Sequence, residues 1–183
     1  PYDLSDYRKY SLDVLPQEFS SCGVGDYREK SVELAYADGS FGLDLRYQGY
    51  EIRKGAYKIE GMPAAHDEEV KSETLIIHMK DTVKEVEVDL YYGVFPGQDV
   101  ITRTAVLRNV GEEKVTLYKM MSANIDFQYG EKDIIYLPGK WGMERKVERT
   151  HVDHAAIHLD SRRGTSSHHM NPSIVLCDPL AGE

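Results

Sequence analysis

The chain has 183 residues, which is enough for one domain with a substantial core or for a large piece of a longer protein. Apolar residues make up 41% and charged residues 29% of it, the proportions of a globular protein rather than a disordered one. The net charge of −9, without any run of Lys or Arg, would repel phosphate backbones and argues against a nucleic-acid partner. No stretch approaches the roughly 20 apolar residues of a membrane-spanning helix, so no membrane partner is expected.

The ends of the chain and its two cysteines indicate whether it is part of a longer protein and in which compartment it is found. The sequence begins at Pro1 without a leader and stops at Glu183 without a natural ending, so we expect a segment of a longer polypeptide. Cys22 and Cys177 are too few and too far apart for a disulfide framework. We expect free thiols in a reducing compartment, which favours a cytoplasmic protein.

The first strands follow a turn-rich lead-in over residues 1–30. Apolar residues alternate with polar or small ones over residues 32–36 and again over 41–47, and Asp38-Gly39 lies between the two runs. Alternating runs joined through Asp-Gly predict a β-hairpin. Residues 49–71 are polar and interrupted by Gly and Pro, which predicts a loop.

Two further hairpins are predicted downstream. Residues 75–79 lead through a turn at Asp81-Thr82 into a long alternating run over 86–94. The β-branched run 100–110 reverses at 109–113 into 115–127, where Lys119 interrupts the apolar face and is expected to snorkel or to lie near an edge. Shorter apolar runs predict strands at Ile134–Leu137, Ala155–Leu159 and Ile174–Cys177. Helical spacing is absent, so the fold class is all-β, an antiparallel β-sandwich.

The most unusual stretch is the polar bend Ser161–Pro172, with sequence SRRGTSSHHMNP. Two guanidinium groups, two imidazoles, four hydroxyls and an amide follow one another, while Gly164 and Pro172 favour an ordered turn. One interpretation is a surface loop held by its own hydrogen bonds. The other is a segment that docks against a protein surface or a polar ligand, and the residues alone do not choose between them.

Local motifs for catalysis or cofactors are weak. Five of the seven histidines lie between His151 and His169, but the cysteines are elsewhere and no His-Glu-x-x-His helix is present, so a metal site is not favoured. Gly-x-Ser-x-Gly and a complete phosphate-binding glycine loop are also missing. We expect no cofactor. Among 31 carboxylates no acid–base pair can be chosen from sequence, because the spacing that matters is spatial.

Several blocks in family order together resemble the N-terminal domain of the α-galactosidases of glycoside hydrolase family 36. The blocks are YSLDVLPQE (10–18), GDYR (25–28), LDLRY (43–47) with KG (54–55), EGMPA (60–64), ETL (73–75), VITR (100–103), GKWGMER (139–145) with ER (148–149), and SRRGTSSH (161–168).

The resemblance implies a galactose-mutarotase-like antiparallel β-supersandwich, with residues 1–183 as a single segment of it, incomplete at both ends. A catalytic (β/α)₈ barrel is expected downstream. Such enzymes cleave terminal α-linked galactose with retention, from oligosaccharides such as raffinose and melibiose, through two Asp of the barrel. No acid of this chain inherits a catalytic role.

The resemblance also implies a supporting role, in which the domain packs on its own barrel, takes part in a homotetramer and lends side chains to a neighbouring active site. Arg8 is the predicted substrate-binding residue, since its guanidinium could hold sugar hydroxyls. Five residues are expected in ordered loops at the barrel or subunit contact, namely Trp141, Arg145, Arg162, Arg163 and His168. The alternative is a stand-alone carbohydrate-binding or structural β-sandwich module.

Overall fold

The computed structural model describes residues 15–68, 71–127, 129–164 and 167–182. These residues form two compact units, within residues 1–126 and 127–183. The strands are β1 Val32–Tyr36, β2 Arg46–Lys54, β3 Glu73–Asp81, β4 Val86–Phe95, β5 Val100–Asn109, β6 Val115–Met120, β7 Lys132–Pro138, β8 Glu148–Val152 and β9 Met170–Cys177. All pairings are antiparallel and the described residues contain no helix, which confirms the all-β, antiparallel fold class. It follows that no described helix could cross a membrane.

The first unit contains two sheets. β1 pairs with β6, and β2–β3–β4–β5 form a four-stranded sheet in sequence order. The core contains apolar side chains from β1 and β4 together with Phe19 and Leu43 from the connecting segments. Val32, Leu34, Val86, Val88 and Leu90 are at most 1% exposed. Burial of each such side chain stabilises the fold by about 1.5–3 kcal/mol.

The segment after β2 covers part of the opposite face of the four-stranded sheet. The Thr74 hydroxyl donates to the Gly55 carbonyl at 2.8 Å, and the rings of Tyr57 and Tyr91 lie 5.4 Å apart. Thr74 and Ile76 are consequently 1% exposed. One face of β3 is therefore buried at this point, and the other is partly buried because Ile77 and Met79 pack against the core.

The second unit is a three-stranded sheet in the order β8–β7–β9. Asp133 of β7 accepts hydrogen bonds from two side chains of β8, the Nε of Arg149 at 2.6 Å and the Nδ1 of His151 at 2.9 Å. Arg149 also donates to the backbone carbonyls of Asp178, Pro179 and Ala181, which follow β9. Both edge strands of the sheet are thus connected through one arginine.

The hairpin of β3 and β4 is confirmed, with Asp81 opposite Val86. The predicted hairpin of 32–36 with 41–47 is wrong, since β1 pairs with β6 and the chain from Ser40 to Asp44 joins no sheet. The alternation arises because Leu43 enters the core while Phe41 stays exposed. A tight turn does form, with the Gly39 N–H donating to the Tyr36 carbonyl at 3.0 Å.

Three further strand predictions need correction. β5 pairs with β4 and not with β6, so the third hairpin is wrong. The predicted loop 49–71 begins inside β2, which pairs with β3 through a bulge at Tyr47/Gly49. Residues 155–159 form no strand, whereas the polar β8 had not been predicted. The strands at Ile134–Leu137 and Ile174–Cys177 are confirmed within β7 and β9.

Candidate functional site

Two loops meet at one end of the three-stranded sheet. Loop A, residues 139–147, connects β7 to β8, and loop B, residues 161–169, leads into β9; residues 165 and 166 of loop B lie outside the described part of the chain. Because β7 and β9 are antiparallel, the end of one strand lies beside the start of the other, with Pro138 opposite Met170. The sheet therefore holds the two loops next to each other.

Each loop contains a tight turn closed by a reciprocal pair of backbone hydrogen bonds. In loop A, Lys140 and Met143 exchange bonds of 3.2 and 2.8 Å, which places Trp141 and Gly142 at the tip. Gly142 has φ of 76°, a value that residues with a Cβ adopt only with strain. In loop B, Ser167 and Met170 exchange bonds of 3.4 and 3.2 Å around His168 and His169.

Gly139 joins the two loops. Its N–H donates to the carbonyl of His169 at 3.0 Å. A Cβ at position 139 would lie 2.5 Å from the His168 carbonyl oxygen, 2.8 Å from the Met143 carbonyl oxygen and 2.9 Å from the Arg145 nitrogen. These contacts are all with backbone atoms, which cannot move aside as a side chain could. The close approach of loop A and loop B therefore requires glycine at position 139.

A pocket of about 560 Å³ opens between the loops. It is lined by polar side chains and one proline: Glu144, Arg145, Ser167, His168, Asn171 and Pro172. Arg145 has a backbone φ of 56°, in the left-handed region. A non-glycine residue held there is strained, and such strain tends to occur at functional positions.

The charges of this region are arranged by short-range contacts. The carboxylate of Glu144 accepts the Gly142 N–H at 2.8 Å, and this backbone bond, followed by one from the N–H of Glu144 itself, lowers the pKa of Glu144. Desolvation, followed by the charges of Arg163 and His168, lowers the pKa of His169. The rings of His168 and His169 lie 4.3 Å apart. Glu144 is therefore ionised and His169 neutral near pH 7.

The structure brings some of the predicted site residues together and separates others. Arg145 and His168 line one pocket. Trp141 lies at the tip of loop A with 87% of its surface exposed, and it is not part of the pocket lining. Arg162 extends into solvent, 4.0 Å from Asp160, while Arg163 acts on His169 through its charge. Arg8 lies outside the described residues.

Sequence reasoning missed Glu144, Asn171 and above all Gly139 as parts of this site. Glu144 and Gly139 belong to the block 139–145, and Asn171 belongs to the polar bend. Membership in these two segments was the only sequence feature that pointed to the three residues. Nothing in the local pattern indicated that the two blocks would touch, because they are joined by a backbone contact across two strands. Among the described residues no three His, Cys, Asp or Glu side chains are arranged to hold a metal ion.

Comparison with known proteins places this geometry in a family. The family model described as the glycosyl hydrolase family 36 N-terminal domain matches residues 1–183. The bifunctional α-galactosidase/sucrose kinase AgaSK of Mediterraneibacter gnavus is 43% identical over 97% of this chain, and α-galactosidase 1 of Pediococcus pentosaceus is 40% identical over 96%. The matched regions are 19% and 24% of those two proteins.

A solved structure shares the fold closely. A variant of the family 36 α-galactosidase AgaA from Geobacillus stearothermophilus, in complex with raffinose, superposes with a TM-score of 0.92 at 37% identity. The superposition covers 99% of this chain and 25% of the AgaA chain, so the chain spans about a quarter of that protein. The chain therefore belongs to the glycosyl hydrolase family 36 N-terminal domains.

Proposed function

We propose that this chain is the non-catalytic N-terminal domain of a retaining α-galactosidase, which releases terminal α-linked galactose from oligosaccharides such as raffinose and melibiose. The observation that carries the proposal is the match of the family model over residues 1–183. Relatives that are 43% and 40% identical are named α-galactosidases. Because the chain spans a quarter or less of these proteins, the activity belongs in this proposal to the whole enzyme.

The electrostatics of the described residues support a non-catalytic role. A retaining glycosidase needs two carboxyl groups about 5 Å apart, one of them with a raised pKa so that it can act as the acid. Four described carboxyl groups have a shifted pKa, namely Asp38, Asp89, Asp133 and Glu144, and each of these four is shifted downward. They suit ion pairs and turns rather than proton donation. The catalytic pair is assigned to a downstream (β/α)₈ barrel.

The domain acts in this proposal as a support for that barrel. Loop A and loop B, with Trp141, Arg145, Arg162, Arg163 and His168, contact the barrel or a neighbouring subunit of a homotetramer. In this proposal Arg8 is assigned the binding of galactoside hydroxyls in a neighbouring active site. Two cysteines, too few for a disulfide framework, suit a cytoplasmic enzyme.

The test compares the intact enzyme with its N-terminal segment. We expect the intact polypeptide to hydrolyse an aryl α-galactoside and raffinose, and NMR to detect α-galactose as the first product. Residues 1–183 alone, with β-sheet content verified by circular dichroism, should give no hydrolysis. Galactoside cleavage by the segment would contradict the proposal. Saturable binding of raffinose to the isolated segment would favour the stand-alone carbohydrate-binding module instead.

A further inference from the structure

We propose that the pocket between loop A and loop B receives a protein carboxylate, the side chain of an Asp or Glu, from a part of the α-galactosidase that lies outside these 183 residues. The inference rests on the proposed function and adds the chemistry of the partner. It makes Arg145 the anchor of an intramolecular or subunit contact, and not a ligand for substrate.

Hydrogen-bond donors in the pocket have no acceptor within the described chain. No hydrogen bond or ion pair joins the guanidinium of Arg145 or the imidazole of His168 to another described residue, although both line the pocket. The Oδ1 of Asn171 accepts the Ser173 N–H at 3.0 Å, which leaves its amide NH₂ free to donate. The carboxylate of Glu144 accepts the N–H of Gly142 and forms no ion pair with the guanidinium of Arg145. A fork of parallel N–H donors matches a carboxylate in a bidentate manner.

The pocket is also held in shape before anything binds. Gly139 ties loop A to loop B through its N–H and through the absence of a Cβ. The N–H of Lys146 donates to the Pro138 carbonyl at 2.8 Å, so Arg145 is flanked by a fixed backbone. Its φ of 56° is maintained at a conformational cost. A fixed backbone limits the entropy that the loop loses when the side chain of Arg145 binds a partner.

The surroundings of the pocket favour a protein segment over a sugar. Loop A carries three exposed apolar side chains, with exposures of 87% for Trp141, 53% for Met143 and 66% for Val147. Trp, Met and Arg are the residue types enriched in protein interfaces. A saccharide site would be expected to present an aromatic face, but the lining contains no Trp, Tyr or Phe. The matched relatives hold at least three quarters of their length outside the region of this chain, which supplies the segment.

The first experiment replaces the anchor with an amine in the intact enzyme. Treating R145K with a carbodiimide joins an amine to any carboxylate in direct contact, and peptide mass spectrometry identifies both partners. We expect a new cross-link from position 145 to an Asp or Glu outside residues 1–183. Lys146 provides the control, because it forms an ion pair with Glu148 and should cross-link within loop A and β8. A Lys146–Glu148 cross-link without any external link from position 145 would overturn the proposal.

The second experiment separates docking from a purely structural role. R145G removes the guanidinium and relieves the positive φ, so a structural residue would leave the loops equally or better protected. Docking predicts instead that amide hydrogen exchange in loops A and B of the intact enzyme accelerates about tenfold or more. K146M, a neighbouring change outside the pocket lining, should leave exchange within about twofold. Unchanged exchange in R145G would also overturn the proposal.

Further outcomes keep the two proposals distinct. Protection of the loops that appears only when raffinose is added would assign the pocket to a sugar and overturn the carboxylate. Release of galactose by the wild-type enzyme is measured in parallel. If the enzyme fails to cleave any α-galactoside, the proposed function is wrong whatever the cross-link shows. If it cleaves them and position 145 finds no external carboxylate, only the docking inference is wrong.

Discussion

Asp89 shows how one buried charge is accommodated in the four-stranded sheet. It lies on β4, is 5% exposed, and accepts a hydrogen bond from His78 Nδ1 at 2.7 Å and another from Arg108. Burial alone would raise the pKa of this carboxyl group, but the bonds from Arg108 and His78 outweigh it and lower the pKa below its ordinary value. The partners come from β3 and β5, so the carboxylate connects three strands.

The consequence at Asp89 is a stability that depends on pH. Because the folded-state pKa of Asp89 is lowered, its ionised carboxylate stabilises the fold above the unfolded pKa of about 3.9. This stabilisation is lost as the pH falls through the folded-state pKa. We expect D89N to reduce the free energy of unfolding by about 1–2 kcal/mol at pH 7, since His78 and Arg108 are partly exposed and screened. Urea unfolding should show this loss shrinking below pH 4.

The control for Asp89 is Asp44, whose side chain is 49% exposed and pairs with Arg46 at 2.7 Å. D44N should change the free energy of unfolding by less than about 0.5 kcal/mol. A loss in D89N that remained constant from pH 7 to pH 2 would contradict the assigned charge pairing.

Gly139 allows a second prediction for a single residue. G139A introduces a Cβ within 2.5–2.9 Å of three backbone atoms, so the loops must separate and the free energy of unfolding should fall by about 1–3 kcal/mol. Gly42 is the matched control, because a Cβ there meets no atom within 4 Å and its φ is not positive. Thermal unfolding should separate the two variants, and equal midpoints would contradict the close approach of loop A and loop B.

The Asp133 cluster determines how β7 and β8 respond to pH. Hydrogen bonds from His151 and Arg149 lower the pKa of Asp133, and the bond to Asp133 raises the pKa of His151 above 6.5. A raised folded-state pKa means that the stabilising contribution is complete below the unfolded value and is lost as the pH rises through the folded value. The pairing of β7 with β8 should therefore be weaker at pH 8 than at pH 6.

NMR titration of the imidazole measures this effect directly. We expect the pKa of His151 to lie above 6.5 in the wild type and to return towards 6.5 in D133N, because the acceptor loses its charge. The control is His169, whose pKa is lowered by desolvation and by the charges of Arg163 and His168 and not by Asp133, so D133N should leave it unchanged. An unchanged His151 titration in D133N would refute the assignment.

The strands differ in how far sequence could predict them. The β3–β4 hairpin was predictable because its turn is short and its register local. The pairing of β1 with β6 was not, since the two strands are separated by four others and no alternation of apolar residues encodes a distant partner. β8 was not predicted because a polar strand such as Glu148–Val152 has no alternating apolar residues. The alternation of apolar residues over 41–47 correctly predicted that Leu43 is buried, but it also predicted a strand pairing with 32–36 that does not form.

The candidate site could be predicted only in part, for a related reason. The sequence identified the polar bend and the block containing Arg145, because unusual composition is a local property. It did not identify their contact, which depends on the register of β7 with β9 and on Gly139. That the Arg145 guanidinium has no partner among the described residues is likewise a property of the folded surroundings. Local composition therefore indicated the residues of the site, and the pairing of β7 with β9 brings them together.

At the scale of the whole molecule, the outer edge of β9 is open in the described chain. Among the described strands β9 pairs only with β7. Ile174 and Val175 are more than half exposed although they point to opposite faces. An exposed apolar edge strand invites pairing with another chain. We expect residues 1–183 alone to self-associate with increasing concentration, as measured by sedimentation velocity.

A charge on that edge should reduce the association. V175K should shift the sedimentation of the segment towards the monomer, because a lysine on an edge strand opposes pairing between chains. Val83 is the matched control, since it is 84% exposed but lies in the turn between β3 and β4. Equal association in V175K and V83K would show that another surface is responsible.

The side chain of Arg149 also bears on where this polypeptide can be divided. Its guanidinium reaches the backbone of Asp178, Pro179 and Ala181, residues that a cut at Cys177 would remove. A protein engineer who trims to the last strand residue would take away three acceptors from a group on the far strand of the same sheet. The useful boundary for fusions or domain exchange lies after Ala181, beyond the visible end of the β structure.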